Sequence, residues 1–319
     1  MAMTRFDGAF EPIAFSTRSG FDESLYHGAA VALGPDGRTI ASLGDPDIAV
    51  YPRSSLKPMQ ATAMVECGLE LPGDLLAIVC ASHDGTAMHT AAVLEVLGTV
   101  GLDESALRNT PSFALEEAAR IDAERRGEGP TALHQNCSGK HAGMLATCCI
   151  NGWPTDDYLD LEHPLQVAIT ASIEKHGAPV DHVGVDGCGA PTHAIGLADL
   201  ARSFASIARS QSAVAQSMSA RPDLVGGRER DVTRWMAALP GLVMKDGADG
   251  VMAGAFPDGR AFALKIASGV DGARQAATGQ ALRALGVDLD DLDGPVPAGP
   301  RVLGHGREVG RIEALPWSS

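Results

Sequence analysis

"GVMAGAFPDGRAFALKIASG", residues 250–269, sets Pro257-Asp258-Gly259-Arg260 between two short apolar runs. "YHGAAVALGPDGRTIASLG", residues 26–44, repeats the layout with Pro35-Asp36-Gly37-Arg38. In each, proline presets the turn and glycine supplies a positive φ, so each predicts a β-hairpin. The two lie near opposite ends of the chain, and one antiparallel sheet built from both ends buries them most simply. Apolar residues between and after them recur at helical spacing, which predicts helices over 55–68, 86–99, 141–150, 164–176, 193–216, 228–238 and 271–285. "RIDAERRGEGPTALHQ" (120–135) and "MKDGADG" (244–250) read as loops. The expected class is α+β: an antiparallel sheet from N- and C-terminal hairpins with packed helices, plus a helical lobe. The chain is expected to be a single catalytic domain over 1–319. Its sheet lobe would come from about 1–60 and 240–319, and its helical lobe from about 61–239.

The 319 residues are 45% hydrophobic and 20% charged, as in ordinary globular proteins. Aromatics are only 4%, so Ala, Leu, Val and Met must fill the core. The net charge of −15 argues against nucleic acid and anionic membranes as partners, because phosphate binding needs clustered Lys and Arg. No stretch reaches the roughly 18 apolar residues of a membrane span. The opening "MAMTRFDGAFEPIAF" carries Asp7 and Glu11 and has no apolar signal core, which leads to a cytoplasmic expectation. Six cysteines stand at 67, 80, 137, 148, 149 and 188. With no export signal, a disulfide framework is not expected. Cys67, Cys80, Cys148 and Cys149 sit in apolar runs and read as core residues. Cys137 and Cys188 are flanked by polar residues and glycine.

"YPRSSLKPMQ", residues 51–60, opens a helix whose buried face is Leu56, Met59, Ala63, Met64 and Cys67. Pro58 is tolerated only in a first turn, so Ser54 stands at or beside the helix start. Lys57 is three residues from Ser54 and shares its face, but two from Ser55, which points elsewhere. A serine hydroxyl needs a base, and a lysine held neutral by desolvation or a second positive charge can be one. The same pattern also suits an N-capping Ser54 and a solvated Lys57.

Three further stretches carry polar groups. "CASHDGTAMH" (80–89) ends an apolar run at Ser82-His83-Asp84 and leads into a helix, so Ser82 or Asp84 either caps that helix or lines a cleft. "HQNCSGKHAGML" (134–145) strings Asn136, Cys137, Lys140 and His141 ahead of an apolar run, with Gly139 and Gly143 allowing close backbone approach. Cys137 and His141 have the i, i+4 spacing that can share a metal. "GVDGCGAPTH" (184–193) adds Asp186 and Cys188 in a Gly-rich turn, and two thiolates from these stretches suit zinc. Lys265, in "FALKIASG" (262–269), lies on the strand leaving the second hairpin, facing either solvent or a cleft.

Taken in order, R-S-S-x-K, C-A-S-H, N-C-S-G-K-H-A-G and D-G-C-G-A-P-T-H resemble the rhizobial-type L-asparaginase family (asparaginase II-like), over nearly the whole chain. The resemblance implies a fold like that of serine β-lactamases and glutaminases. It implies catalytic Ser54 and Lys57, with a second pair made by Ser82 and Lys265. It also implies zinc held by Cys137, Lys140 and Cys188, with Asp186 beside them, and a homodimer. Two positions depart from the family pattern: Ser268-Gly269 follows the strand lysine where Asp-Gly is usual, and Gly85-Thr86 follows C-A-S-H-x where Gly-Glu is usual.

The expected function is L-asparagine amidohydrolysis to aspartate and ammonia through a Ser–Lys acyl-enzyme. Arg53, His141 and Asn136 are the substrate-binding candidates, Arg53 by bidentate pairing with a carboxylate. The alternatives are a glutaminase or β-lactam-type Ser–Lys hydrolase, or a non-catalytic zinc- or amino-acid-binding protein on the same scaffold. Ammonia release from asparagine, glutamine and a β-lactam separates them.

Overall fold

The computed structural model describes residues 6–290, 292 and 299–317. Strands β1 (Glu11–Arg18), β2 (Phe21–Leu33), β3 (Thr39–Leu43) and β4 (Ala49–Val50) come first. Helices α1 (Lys57–Glu66), α2 (Gly73–Val79), α3 (Ala87–Gly98), α4 (Glu117–Arg125), α5 (Ser138–Asn151) and α6 (Pro164–Lys175) follow. Strands β5 (His182–Val185) and β6 (Pro191–Gly196) lead to helices α7 (Leu197–Arg209), α8 (Ala213–Ala220), α9 (Pro222–Val225) and α10 (Asp231–Ala238). Strands β7 (Val243–Gly247), β8 (Val251–Ala255) and β9 (Ala261–Ile266), helix α11 (Asp271–Ala284), and strands β10 (Arg301–Gly304) and β11 (Arg307–Ala314) complete the order.

Both P-D-G-R segments make the same turn. Gly34 N–H donates to the Arg38 carbonyl at 2.8 Å, and Phe256 N–H to the Arg260 carbonyl at 2.8 Å. Asp36 and Asp258 each accept from the arginine N–H two residues on, while Gly37 (φ 79°) and Gly259 (φ 94°) take the left-handed position. The hairpins β2–β3 and β8–β9 then join directly: β2 pairs antiparallel with β9, with Ala30 opposite Leu264. The sheet runs β10-β11-β1-β2-β9-β8-β7, with β3 also on β2. The class is α+β, with one antiparallel sheet drawn from the two ends of the chain, as the hairpins require.

Several elements differ from the sequence reading. The 193–216 segment starts as strand β6, which with β4 and β5 forms a small second sheet. Its helical part breaks at Gln211 (φ 45°), and Ser212 caps the new helix α8 by accepting from Ala215 N–H. Helix α4 lies within a stretch read partly as loop. None of its residues is buried, so no apolar period marks it. Helix α2 buries Leu75 through Val79 consecutively, which erases its period too. The loop reading of 244–250 fails because Val243–Gly247 is the edge strand β7.

Helix α7 packs on β2, β8 and β9, and α11 on β1, β2, β9 and β11. Away from the sheet, α5 packs on α2 through glycine. A Cβ on Gly139 would lie 2.1 Å from the Ile78 carbonyl oxygen, and one on Gly143 would lie 2.6 Å from Val79 Cγ1. The start of α5 is thereby set against the end of α2 and the loop that follows it. Gly139→Ala should therefore lower unfolding stability by about 2 kcal/mol or more, since the clash is with backbone. Gly98→Ala, which meets open space at the end of α3, should change stability by no more than about 1 kcal/mol, and in the stabilising direction. Urea unfolding of both variants checks the contrast.

Candidate active site

Residues Arg53–Leu56 form a 3-10 turn, and α1 starts at Lys57 with Pro58 in its first turn. The helical start expected near Ser54 is thus a tighter turn, closed by the Lys57 N–H donating to the Ser54 carbonyl. No side chain caps either element, so Ser54 is not an N-cap. Lys57 is not a solvated lysine either: it is 1% exposed. Its amine donates to the Ala81 carbonyl and lies 3.1 Å from Ser82 Oγ. Ser55 is buried and donates to the Lys245 carbonyl at 2.9 Å. Ser54 is half-buried, and its hydroxyl has no hydrogen-bond partner among the described residues.

Ser82 stands in the loop between α2 and α3, 3% exposed, with its N–H held by the Val225 carbonyl at 2.9 Å. Neither it nor Asp84 caps α3, whose cap position is Thr86. Next to it, His83 accepts from Gly85 N–H on Nδ1, so its Nε2–H donates to Ser138 Oγ at 2.8 Å, and Ser138 in turn donates to the Leu133 carbonyl. Burial keeps this imidazole neutral by pushing its pKa well below the usual histidine value. The 80–83 loop is thereby tied to the first residue of α5.

Lys245, which the sequence reading left in a loop, is wholly buried on β7. Its amine donates to the Asp246 carboxylate and to the Asp246 carbonyl, the latter at 2.8 Å. Asp246 also accepts from Arg230 at 2.6 Å, and Arg230 reaches Asp84 at 3.2 Å. Burial, opposed by Asp246 and reinforced by the Lys57 charge, lowers the Lys245 pKa to about 8. Burial opposes ionisation of Asp246, but Lys245 and Arg230 overcome it and hold that carboxyl far below its ordinary value. The tight-turn pair Asp249-Gly250 between two apolar runs is the sequence signal that marks this hairpin, and with it Lys245.

Lys265 is on β9 as expected, but it does not meet Ser82. Its amine holds the Asp249 carbonyl at the tip of the β7–β8 hairpin. Arg53 sits in the left-handed region (φ 55°), a costly conformation for arginine. Its guanidinium donates to Asp186 at 2.7 Å and to the Asp249 carboxylate.

Cys137, Lys140 and Cys188 come together. All three are buried, and Lys140 Nζ is 3.3 Å from Cys188 Sγ. Cys188 lies in the β5–β6 turn, where Asp186 N–H bonds to the Ala190 carbonyl. Cys137 and Cys188 pack together and titrate as a pair. The hydrogen bond from Cys188, helped by the Lys57 and Lys140 charges, brings the first ionisation well below the usual thiol range despite burial, and the second is pushed up. Burial works against the Lys140 ammonium, but Cys188, Cys137 and Asp186 raise its pKa. Among the described residues no group of three or more His, Cys, Asp or Glu side chains is placed to hold a metal ion. This cluster offers two sulfurs and one amine.

A profile of L-asparaginase II matches residues 14–314. The chain belongs to the L-asparaginase II family. Membership supports an amidohydrolase. No curated protein matches the chain. Among solved structures, a β-lactamase from Mycobacterium bovis is similar, with 18% identity, a TM-score of 0.45, and coverage of 82% of this chain and 95% of that one. No helix among the described residues is long and apolar enough to cross a membrane.

Two substrate-binding candidates of this L-asparaginase II chain are engaged inside the protein. His141 is fully enclosed, with Nδ1 2.8 Å from the Tyr158 hydroxyl, and it does not join Cys137. Burial pushes its pKa well down. Asn136 is half-buried, and its Oδ1 accepts from Gln135 at 3.1 Å and from the Cys137 thiol. The Lys245 environment carries a pH signature. Its folded pKa of about 8 lies below the ordinary lysine value of about 10.4, so the unfolded chain binds the extra proton between them. Stability should rise across roughly pH 8 to 10 in the parent relative to Lys245→Met, and urea unfolding of both forms across that range measures the difference.

Proposed function

We propose that this protein hydrolyses the side-chain amide of L-asparagine to aspartate and ammonia. The observation that carries the reading is the Lys57 amine, buried against Ser82 Oγ and rising from the turn that presents Ser54. Ser54 is the more accessible of the two serines, which suits a nucleophile, and the enclosed Ser82 suits proton transfer.

Ser54 Oγ attacks the amide carbon and gives its proton to the Lys57 amine. The proton then passes from Lys57 through Ser82 to the leaving nitrogen. The C–N bond breaks, ammonia departs, and an aspartyl ester remains on Ser54. Water attacks the ester along the same proton path and releases aspartate. Lys265 holds the Asp249 hairpin tip and takes no proton from Ser82. Lys245, beside Lys57, takes the place of the second lysine expected at 265.

The buried sulfurs and amine of Cys137, Cys188 and Lys140 fit zinc as a three-donor N/S set, with Lys140 binding as the neutral amine. When bound, the metal would supply a positive charge and a Lewis acid between α5 and the β5–β6 turn. A cytoplasmic homodimer belongs to the same proposal.

Ammonia release from asparagine, glutamine and a β-lactam tests the substrate. Ser54→Ala should lower turnover of asparagine by about 1,000-fold or more, whereas Ser55→Ala should cost much less. Lys57→Arg should be nearly inactive, because guanidinium does not deprotonate. Near-parental turnover in Ser54→Ala would transfer the nucleophile role to Ser82. For the metal, elemental analysis of the purified protein should find zinc, and Cys188→Ser should lose it. Metal-free parent protein, grown with zinc supplied, would remove zinc from the proposal.

A further inference from the structure

We infer that Asp249 recognises the α-ammonium group of the substrate, and that the substrate's α-carboxylate displaces Asp249 from Arg53. The inference deepens the asparagine reading and rests on it. Asp249 is at the tip of the β7–β8 hairpin, in the left-handed region (φ 59°). The tip is seated firmly: Lys265 holds the Asp249 carbonyl, and a Cβ on Gly250 would lie 2.8 Å from Ile266 Cβ. The carboxylate itself is exposed. Its side chain is 64% exposed, while that of Asp186, the other acid on Arg53, is 13% exposed and also accepts from Gly187 N–H at 2.8 Å.

Arg53 directly precedes Ser54, and its guanidinium reaches Asp186 and the Asp249 hairpin tip. That guanidinium is already shared between two acids. An incoming carboxylate displaces the exposed one, because an exposed ion pair is weak, and leaves buried Asp186 in place as the arginine's anchor. An α-amino acid carries its carboxylate and ammonium on one carbon and therefore needs a cation and an anion side by side. Arg53 and the released Asp249 supply that pair. A ligand with the carboxylate but no ammonium leaves Asp249 unpaired and repelled.

The test compares L-aspartate with succinate, which lacks only the ammonium, by isothermal titration calorimetry. The parent should bind aspartate about 10- to 100-fold more tightly than succinate, as expected for one charge-assisted contact. Asp249→Asn keeps the size and tolerates positive φ, and it should narrow the preference to about threefold or less. Asp249→Glu keeps the charge and should keep the preference. A parent that does not distinguish the two ligands, or binds neither, overturns the inference, as does an Asp249→Asn variant with the full preference. Ammonia release from asparagine is measured alongside. Its absence in a parent that still prefers aspartate sinks the hydrolase reading and leaves Asp249 as an amino-acid recogniser.

Discussion

The site depends on keeping one amine out of water. Lys57 is enclosed where its burial would be costly without partners, and its partners are the Ala81 carbonyl and the Ser82 hydroxyl. Those two groups lie beyond the end of α2, more than twenty residues along the chain. The amine therefore fixes the distance between the turn bearing Ser54 and the loop bearing Ser82. The His83–Ser138 hydrogen bond then brings in the start of α5, with Cys137 and Lys140, and the glycines of α5 let that helix come close enough. Three separate stretches meet because a single buried group has to be satisfied.

A second lysine makes the enclosure more demanding. Lys245 is buried near Lys57, and the two amines repel when both are charged. Asp246 answers Lys245 directly, Arg230 holds the other oxygen of Asp246, and Asp84 takes the far side of Arg230. Alternating charges in a row offset one another at short range, and removing one leaves its neighbour buried and unpaired. The edge strand β7 thus does more than end the sheet. It carries a counter-charged partner for the interior of the site.

Much of this was legible in the sequence for a physical reason. The P-D-G-R turns encode their own geometry, so the hairpins and their sheet followed from local chemistry. Pro58 sits in the first turn of α1, as its missing N–H demands, although α1 starts at Lys57 and not near Ser54. What stayed hidden was long-range or two-sided burial. Helix α2 buries five residues in succession, so it shows no period. Lys245 sits among residues that look like a charged loop, and only its pairing with β8 places it inside. The strand carrying Lys265 is readable, but its catalytic role is implied only by the resemblance. Its partner, the Asp249 carbonyl, depends on long-range pairing that local sequence does not encode.

The β2–β9 pairing at the middle of the sheet has a kinetic consequence. It joins residues 28–33 to residues 261–266. Closing a loop of that length carries a large entropic cost that few early contacts repay. During synthesis, β2 leaves the ribosome long before its partner exists. An apolar strand such as "AAVAL" then waits with an unpaired edge while the intervening helices are made. Such strands are exposed to association with other chains, so yield in cells should depend on chaperone capacity and on slow growth at low temperature.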